Sequence, residues 1–396
     1  MKLLPVEEAR ARMLARVGPP AIETVPLAQA VGRVLAQAVD AQRDQPPFPA
    51  SAMDGYAVRA ADTPGRLTVV GESAAGAGFA PRLSPGQAVR IFTGAAVPEG
   101  ADAIVIQEDA RREGEAVEVP QTAAGTFVRP RGGDFQQGTV LLAAGQRIDP
   151  WRLSLAASAG RAELAVARRP RVALLSTGEE IVEAPATPGP FQIFDSGTPA
   201  LAAMIDAWGG EPVRLRPVGD DLKAITAAMA EAACDLLVTV GGASVGDHDL
   251  VRAAGEALGL TLDVASIAVR PGKPTFFGRL GDGRLMLGLP GNPASAFVCA
   301  ELFLRPLLSA WQGSSAELGM IPALSLDALP ANGPREHWMR ARLSHADGRV
   351  AVRPYRDQDS SLVTVFAAAD ALLRRAPGAP AVAAGDPVDV LPLARG

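Results

Sequence analysis

The segment TVGGASVGDHDL (239–250) holds the residues best suited to chemistry. An apolar run, DLLVTV, leads straight into Gly241, Gly242, Ser244 and Gly246, and a helix is predicted from Asp249. Glycines at a strand end let backbone N–H groups approach an anion closely, and the start of the following helix adds partial positive charge. The competing structural reading is a tight strand-to-helix turn with no ligand. Asp247 and Asp249 shift the balance. Two carboxylates beside a phosphate repel it unless a cation lies between them, and Mg2+, held by one or two carboxylates plus phosphate oxygens, suits that role. His248 stands between these acids as a candidate base, with an ordinary loop histidine as the alternative.

STGEEIV (176–182) again sets a glycine, Gly178, and carboxylates Glu179 and Glu180 at the end of an apolar run, and Asp220 and Asp221 follow the next one. A solvated acidic rim is the blander account of this pattern. VRPGKPTFFG (269–278) supplies opposite charge: Arg270 and Lys273 flank Pro271-Gly272, a stiff turn, in a chain whose other lysines are Lys2 and Lys223. A lysine in such a turn suits a specific anion, although solvation is the default for any single lysine. LPGNPASA (289–296) stiffens a loop with Pro290 and Pro293 and offers Asn292 and Ser295, or else merely starts a helix over 294–309. Acids for a cation, bases for anions and backbone cradles point to phosphoryl-type chemistry by positioning and electrostatics. Nearer the N-terminus, ASAMDGYAV (50–58) carries Asp54, FTGAAVPEGADAIV (92–105) carries Thr93, and VRPRGGDF (128–135) carries Arg129, Arg131 and Asp134. Each of these, taken alone, reads as a turn.

The elements that must position these residues fall into blocks. Residues 5–17 predict an amphipathic helix and LAQAVGRVLAQ (27–37) a second, with a further helix opening at IDPWRLSLAASAG (148–160). These give a discontinuous helical N-terminal domain, 1–45 and 141–168. Short apolar runs punctuated by Gly and Pro make 46–140 a β-rich insert, a sandwich or barrel. RVALLST (171–177) is a continuous apolar strand of the buried parallel type. FDSGTPALAAMIDAWGG follows it, with Asp195 or Ser196 as cap and Gly209 as stop. Alternating strands and helices predict a three-layer α/β domain over 169–316. Residues 317–396 alternate in short apolar runs and read as a small C-terminal β domain. The expected fold class is multidomain, α/β plus β.

Composition narrows the function. The net charge of -5 argues against a nucleic-acid binder, which needs a basic surface. Two cysteines, Cys234 and Cys299, cannot staple 396 residues, and the absence of CxxC pairs argues against structural zinc. A charged start without a leader-type apolar core, and no uninterrupted apolar run of about 18 residues, predict a cytoplasmic protein with no membrane partner.

PPFPASAMDGYAV, FTGAAVPEGADAIV, VRPRGGDF, STGEEI, FDSGTPAL, TVGGASVGDHDL, VRPGKP and GLPGNPASA, in this order over roughly residues 45–300, resemble the molybdopterin molybdenumtransferase family, the MoeA and gephyrin E-domain group. The GGxSVG loop is shared with the related pterin adenylyltransferases, which lack AMDGYAV. The resemblance makes the central domain molybdopterin-binding-like. It implies insertion of molybdate into adenylylated molybdopterin (molybdopterin-AMP) with divalent-cation-dependent release of AMP. Mg2+ is then the cofactor and molybdate the co-substrate. By the same resemblance Asp54, Thr93, Asp134, Glu180, Asp220 and Asp249 match positions important to activity, and Glu180, Asp220 and Asp249 are assigned to metal and phosphate handling. Lys273 and Ser295 match molybdate-pocket positions. Arg340 and Ser360 are carried over as substrate-binding, together with Gly241, Gly242, Ser244, Gly246, Arg270, Pro290, Asn292 and Pro293.

The family is dimeric, with the active cleft between the α/β domain of one subunit and the last domain of the other. That arrangement has Arg340 and Ser360 acting across the interface, and it allows contact with a molybdopterin adenylyltransferase. Two positions depart from the pattern: Arg270 stands where lysine is common and Ser266 where many relatives carry a basic residue. A planar guanidinium presents a fork rather than a point charge, so oxyanion geometry shifts. The rival readings are an adenylyltransferase, which normally lacks the β insert and last domain, and a scaffold, which has no need of acids at 54, 180, 220 and 249. Tungstate and molybdate share charge and nearly share size, so the residues do not separate them.

Overall fold

The computed structural model describes residues 3–242, 250–346 and 348–393. The chain forms two compact bodies: Met1–Glu23, Gly32–Ala36 and Val166–Gly396 make one, Thr24–Val31 and Gln37–Ala165 the other.

The first body is built on a sheet with strand order Glu211–Arg214, Arg171–Ser176, Leu236–Val240, Leu285–Leu289, Phe276–Arg279, Thr261–Val264. The first four strands are parallel. Phe276–Arg279 joins antiparallel because a short turn links it to its neighbour, and Thr261–Val264 pairs antiparallel to it in turn. Strand side chains alternate between faces, and helices cover both. Val172 and Leu174 pack with Leu201, Ile205 and Leu302 on one face. Ala173 and Leu175 pack with Ile225, Met229 and Val251 on the other. These are the three layers the sequence predicts. The helical run Pro293–Trp311 is long and apolar enough to cross a membrane, but 78% of it is buried inside the protein, which marks it as a core helix.

Within the same body, strands Glu336–Ala346, Arg349–Pro354, Ile321–Ser325, Pro387–Pro392 and Ala371–Arg375 pair in that order. The last returns to the first, closing a small barrel around Ala323, Ala341, Val352, Leu373 and Val390. Val269–Arg270 adds to it, parallel to Glu336–His337, so the turn carrying Lys273 is anchored on the barrel edge.

The second body holds a sheet ordered Ala103–Ile106, Gly55–Val58, Gln87–Ile91, Gly65–Ser73, Ala116–Val119, Arg111–Glu113. Tyr56, Val58, Leu67 and Val105 bury on one face, and Ala57, Val89, Ile91 and Ile104 on the other.

The N-terminal region differs from expectation. Helix Val6–Leu14 buries Val6, Ala9 and Met13 in the core of the α/β body rather than joining 141–168 in a helical domain. LAQAVGRVLAQ forms only one 3-10 turn, Leu27–Gln29. Its apolar spacing is helical, but Gly32 adopts φ +79, and the chain then runs extended, with Leu35 bridging Val166. Residues 141–168 hold helix Pro150–Ser158, capped by Asp149 through Arg152 N–H, and then a strand, Glu163–Ala167.

Candidate active site

The parallel strands end level with one another. Ser176 is opposite Val240, and Val240 opposite Leu289. The residues that follow, Thr177, Gly241 and Pro290, therefore emerge at one height, where ligands of open α/β sheets bind. A cavity of about 680 Å3 opens there, lined among others by Thr177, Glu180, Gly242, Pro290, Asn292 and Ser295.

Glycine is required at its floor. Gly241 has φ +94, and a Cβ there would lie 2.5 Å from Thr177 O. Gly242 has φ +62, and its Cβ would overlap the Val251 side chain. Gly178, at φ +138, lies directly under the Glu180 carboxylate, whose Oε2 would be 2.5 Å from a Cβ. The Glu180 carboxylate thus folds back over its own turn at the cavity wall. Two helix starts also border the space. The Asp195 carboxylate accepts from Gly197 and Thr198 N–H, both at 3.0 Å, and from the Thr198 hydroxyl, which fixes the start of Gly197–Ala207. Pro293 opens the other helix.

Of the predicted site residues in this body, Glu180, Gly242, Pro290, Asn292, Pro293 and Ser295 line the cavity, and Gly241 immediately precedes the lining Gly242 without lining it. Asp220 is exposed on the adjoining loop, where its N–H donates to Glu179 Oε1 at 3.3 Å. Arg270 and Lys273 are exposed on their turn, beside cavity-lining Pro274. Beneath that turn, a Cβ on Gly272 (φ +119) would overlap Cys299 Sγ. The Cys299 thiol accepts from Thr275 Oγ at 3.1 Å, and burial pushes its pKa up to about 12. Ser244, Gly246 and Asp249 lie outside the described residues. Arg340 is wholly buried and Ser360 partly so. Ser360 Oγ accepts from Asn292 Nδ2 of its own chain at 2.8 Å, so no second subunit is needed to bring these two together.

The second body brings Asp54 and Thr93 together. Asp54 Oδ1 accepts from Thr93 N–H and Thr93 Oγ, both at 2.7 Å. The Thr93 backbone N–H first, its hydroxyl next and the charge of Arg90 after that hold the Asp54 carboxyl below the usual carboxylate range. Asp134 borders a separate cavity of about 700 Å3 with Arg43, Arg129 and Gly94.

Sequence reasoning passed over Thr177, Ser361 and Val363, all of which line the first cavity. The Thr177 hydroxyl is buried without a partner among the described residues. Its position after a strand-end serine, level with the glycine turn, is the signal that could have found it.

The comparisons identify the α/β part of the first body with a family of molybdopterin-binding domains. Residues 173–310 match the family described as "Probable molybdopterin binding domain", residues 4–160 the "MoeA N-terminal region (domain I and II)", and residues 322–393 the "MoeA C-terminal region (domain IV)". A molybdopterin molybdenumtransferase of Bacillus subtilis is 34% identical over 98% of this chain and 94% of its own length. One from Synechococcus elongatus is 38% identical over 96% of each. A solved molybdopterin biosynthesis MoeA protein of Pyrococcus horikoshii superimposes with a TM-score of 0.85 at 31% identity, covering 99% of both chains. The chain belongs to the MoeA family of molybdopterin molybdenumtransferases, transferases of molybdenum cofactor biosynthesis.

Proposed function

We propose that this enzyme inserts molybdate into adenylylated molybdopterin, with Mg2+-dependent release of AMP, as a cytoplasmic homodimer supplied by a molybdopterin adenylyltransferase. The observation that carries the reading is the cavity at the level ends of three parallel strands. A glycine turn that admits no side chain, the starts of two helices and the Glu180 carboxylate all meet there. A glycine turn at a strand end favours a phosphate, and its charge then calls for a cation beside Glu180.

Glu180, Asp220 and Asp249 are the residues that would hold Mg2+. All three offer the hard oxygen donors this ion takes, and substrate phosphates complete such sites. Among the described residues no group of three or more His, Cys, Asp or Glu converges, and Asp249 lies outside them. Once bound, the ion would neutralise charge on the phosphoanhydride. The chain's own contribution is to hold that group against the glycine turn, with Asn292 and Ser295 facing it. Lys273 and Arg270, on the neighbouring stiff turn, supply the positive charge for molybdate.

The test is AMP release from purified molybdopterin-AMP, with and without molybdate and Mg2+. Release that requires both is expected. Tight substrate binding with no release under any condition would overturn the reading in favour of a carrier.

A further inference from the structure

One wall of the cavity comes from the barrel. Ser361 and Val363 line it, and the preceding residue, Ser360, is tied to the start of the Pro293 helix. Ala294 N–H donates to Ser360 O at 3.1 Å, and Asn292 Nδ2 donates to Ser360 Oγ at 2.8 Å. The first N–H groups of a helix have no partner within it, so a barrel loop fills part of that vacancy.

Gln358 holds this loop. Its Oε1 accepts from Arg340 N–H at 2.9 Å and Arg340 Nε at 3.1 Å. Its Nε2 donates to Arg340 O at 2.9 Å and Tyr355 O at 2.7 Å. The hydrogen-bonding capacity of the amide is thereby filled. Arg340 Nη1 donates to Asp359 O at 2.9 Å, which locks the guanidinium to the same loop. Arg340 is 0% exposed, and its Nη2 has no partner among the described residues. A buried guanidinium edge left without an acceptor is costly, and an oxyanion is what it best accommodates. The charges nearby are mixed: Asp357 and Asp359 act on Arg340 itself, while arginines surround His337 on the same strand. Burial first, then the charges of Arg270, Arg340, Arg335 and Arg375, bring His337 down to about 4.

We propose that Gln358 is a positioning residue for oxyanion binding, fixing the Arg340 guanidinium and the Ser360 loop in one arrangement before the anion arrives. It touches no substrate and acts through Arg340 and Ser360. The inference rests on the proposed function, whose oxyanion is molybdate.

The experiment measures molybdate-dependent AMP release for the wild type, Gln358→Ala and Gln358→Glu, with AMP affinity by calorimetry. A hydrogen-bonded contact to a charged group is worth roughly ten- to a hundredfold in affinity. Gln358→Ala is expected to raise the half-saturating molybdate concentration about tenfold. The maximal rate should stay within about threefold and AMP affinity within about twofold. Gln358→Glu is nearly isosteric but sets a carboxylate on Arg340 Nε, which competes with the oxyanion, and aims an oxygen at two carbonyls. It should therefore raise the molybdate requirement more than Gln358→Ala does.

A purely structural role predicts the opposite order, with the isosteric variant milder and rate and AMP affinity falling together. That order, or an unchanged molybdate requirement in both variants, would overturn the proposal while wild-type behaviour left the functional reading standing. Wild-type release independent of molybdate would overturn both.

Discussion

Gly272→Ala is the sharpest test of how the Lys273 turn is built. At φ +119 the backbone is in a region that side-chain-bearing residues rarely adopt, which costs about 1–3 kcal/mol. The new Cβ would also overlap Cys299 Sγ, a fully buried atom, with Val269 Cγ1 3.2 Å away on another side. Overpacking of this kind costs about 1–3 kcal/mol. The expected loss is about 2–6 kcal/mol, a large part of the stability of an ordinary domain. Urea denaturation followed by tryptophan fluorescence should show a clear fall in the midpoint. Cys299→Ala in the same chain removes the overlapping sulfur but leaves the backbone strain. The double variant should therefore recover the steric share, giving a coupling of about 1–3 kcal/mol. A Gly272→Ala protein with an unchanged midpoint would show that the turn adapts freely. A double variant no better than the sum of the singles would show that Cys299 is not what confines it.

Two further outcomes follow from the electrostatics. His337 titrates at about 4 in the folded chain, against an ordinary value of 6.5, because of burial and surrounding arginines. The unfolded state then binds more protons between these values, so stability is full above about 6.5 and declines as pH falls towards 4. His337→Gln should flatten that acid limb in urea midpoints measured across pH, and an unchanged limb would refute the assignment. Asp54 is held ionised by Thr93, so Thr93→Val should raise the Asp54 pKa towards the ordinary carboxylate value in a carbon-detected NMR titration. The backbone N–H would remain as partner, so the rise should be partial. No change would mean that the hydroxyl contributes nothing.

What the sequence revealed, and what it hid, follows from how local each signal is. RVALLST and DLLVTV are apolar throughout because both faces of their sheet are covered, and that shows in a single segment. The glycines of TVGG are equally legible, since only glycine fits where the next strand's Thr177 presses against them. LAQAVGRVLAQ misled because an apolar period of about 3.6 is compatible with a chain that Gly32 turns aside. Helix Val6–Leu14 was seen as a helix, but amphipathicity says only that one face is buried, not against which core.

The contact between Asn292 and Ser360 lay beyond such reasoning for a different reason. It joins two polar side chains far apart in sequence, and neither segment has a period or a turn signature that names its partner. Only the folded chain shows that Pro274, just after Lys273, and Ser361 and Val363, just after Ser360, line the same cavity. The barrel edge strand Val269–Arg270 carries the Lys273 turn and the Gln358 loop carries Ser360. The barrel is therefore more than an appendage to the cavity. It contributes one wall, steadies the start of a lining helix, and anchors the cationic turn. Truncation near residue 317 would remove all three contributions together, even though the glycine turn and Glu180 would remain encoded upstream.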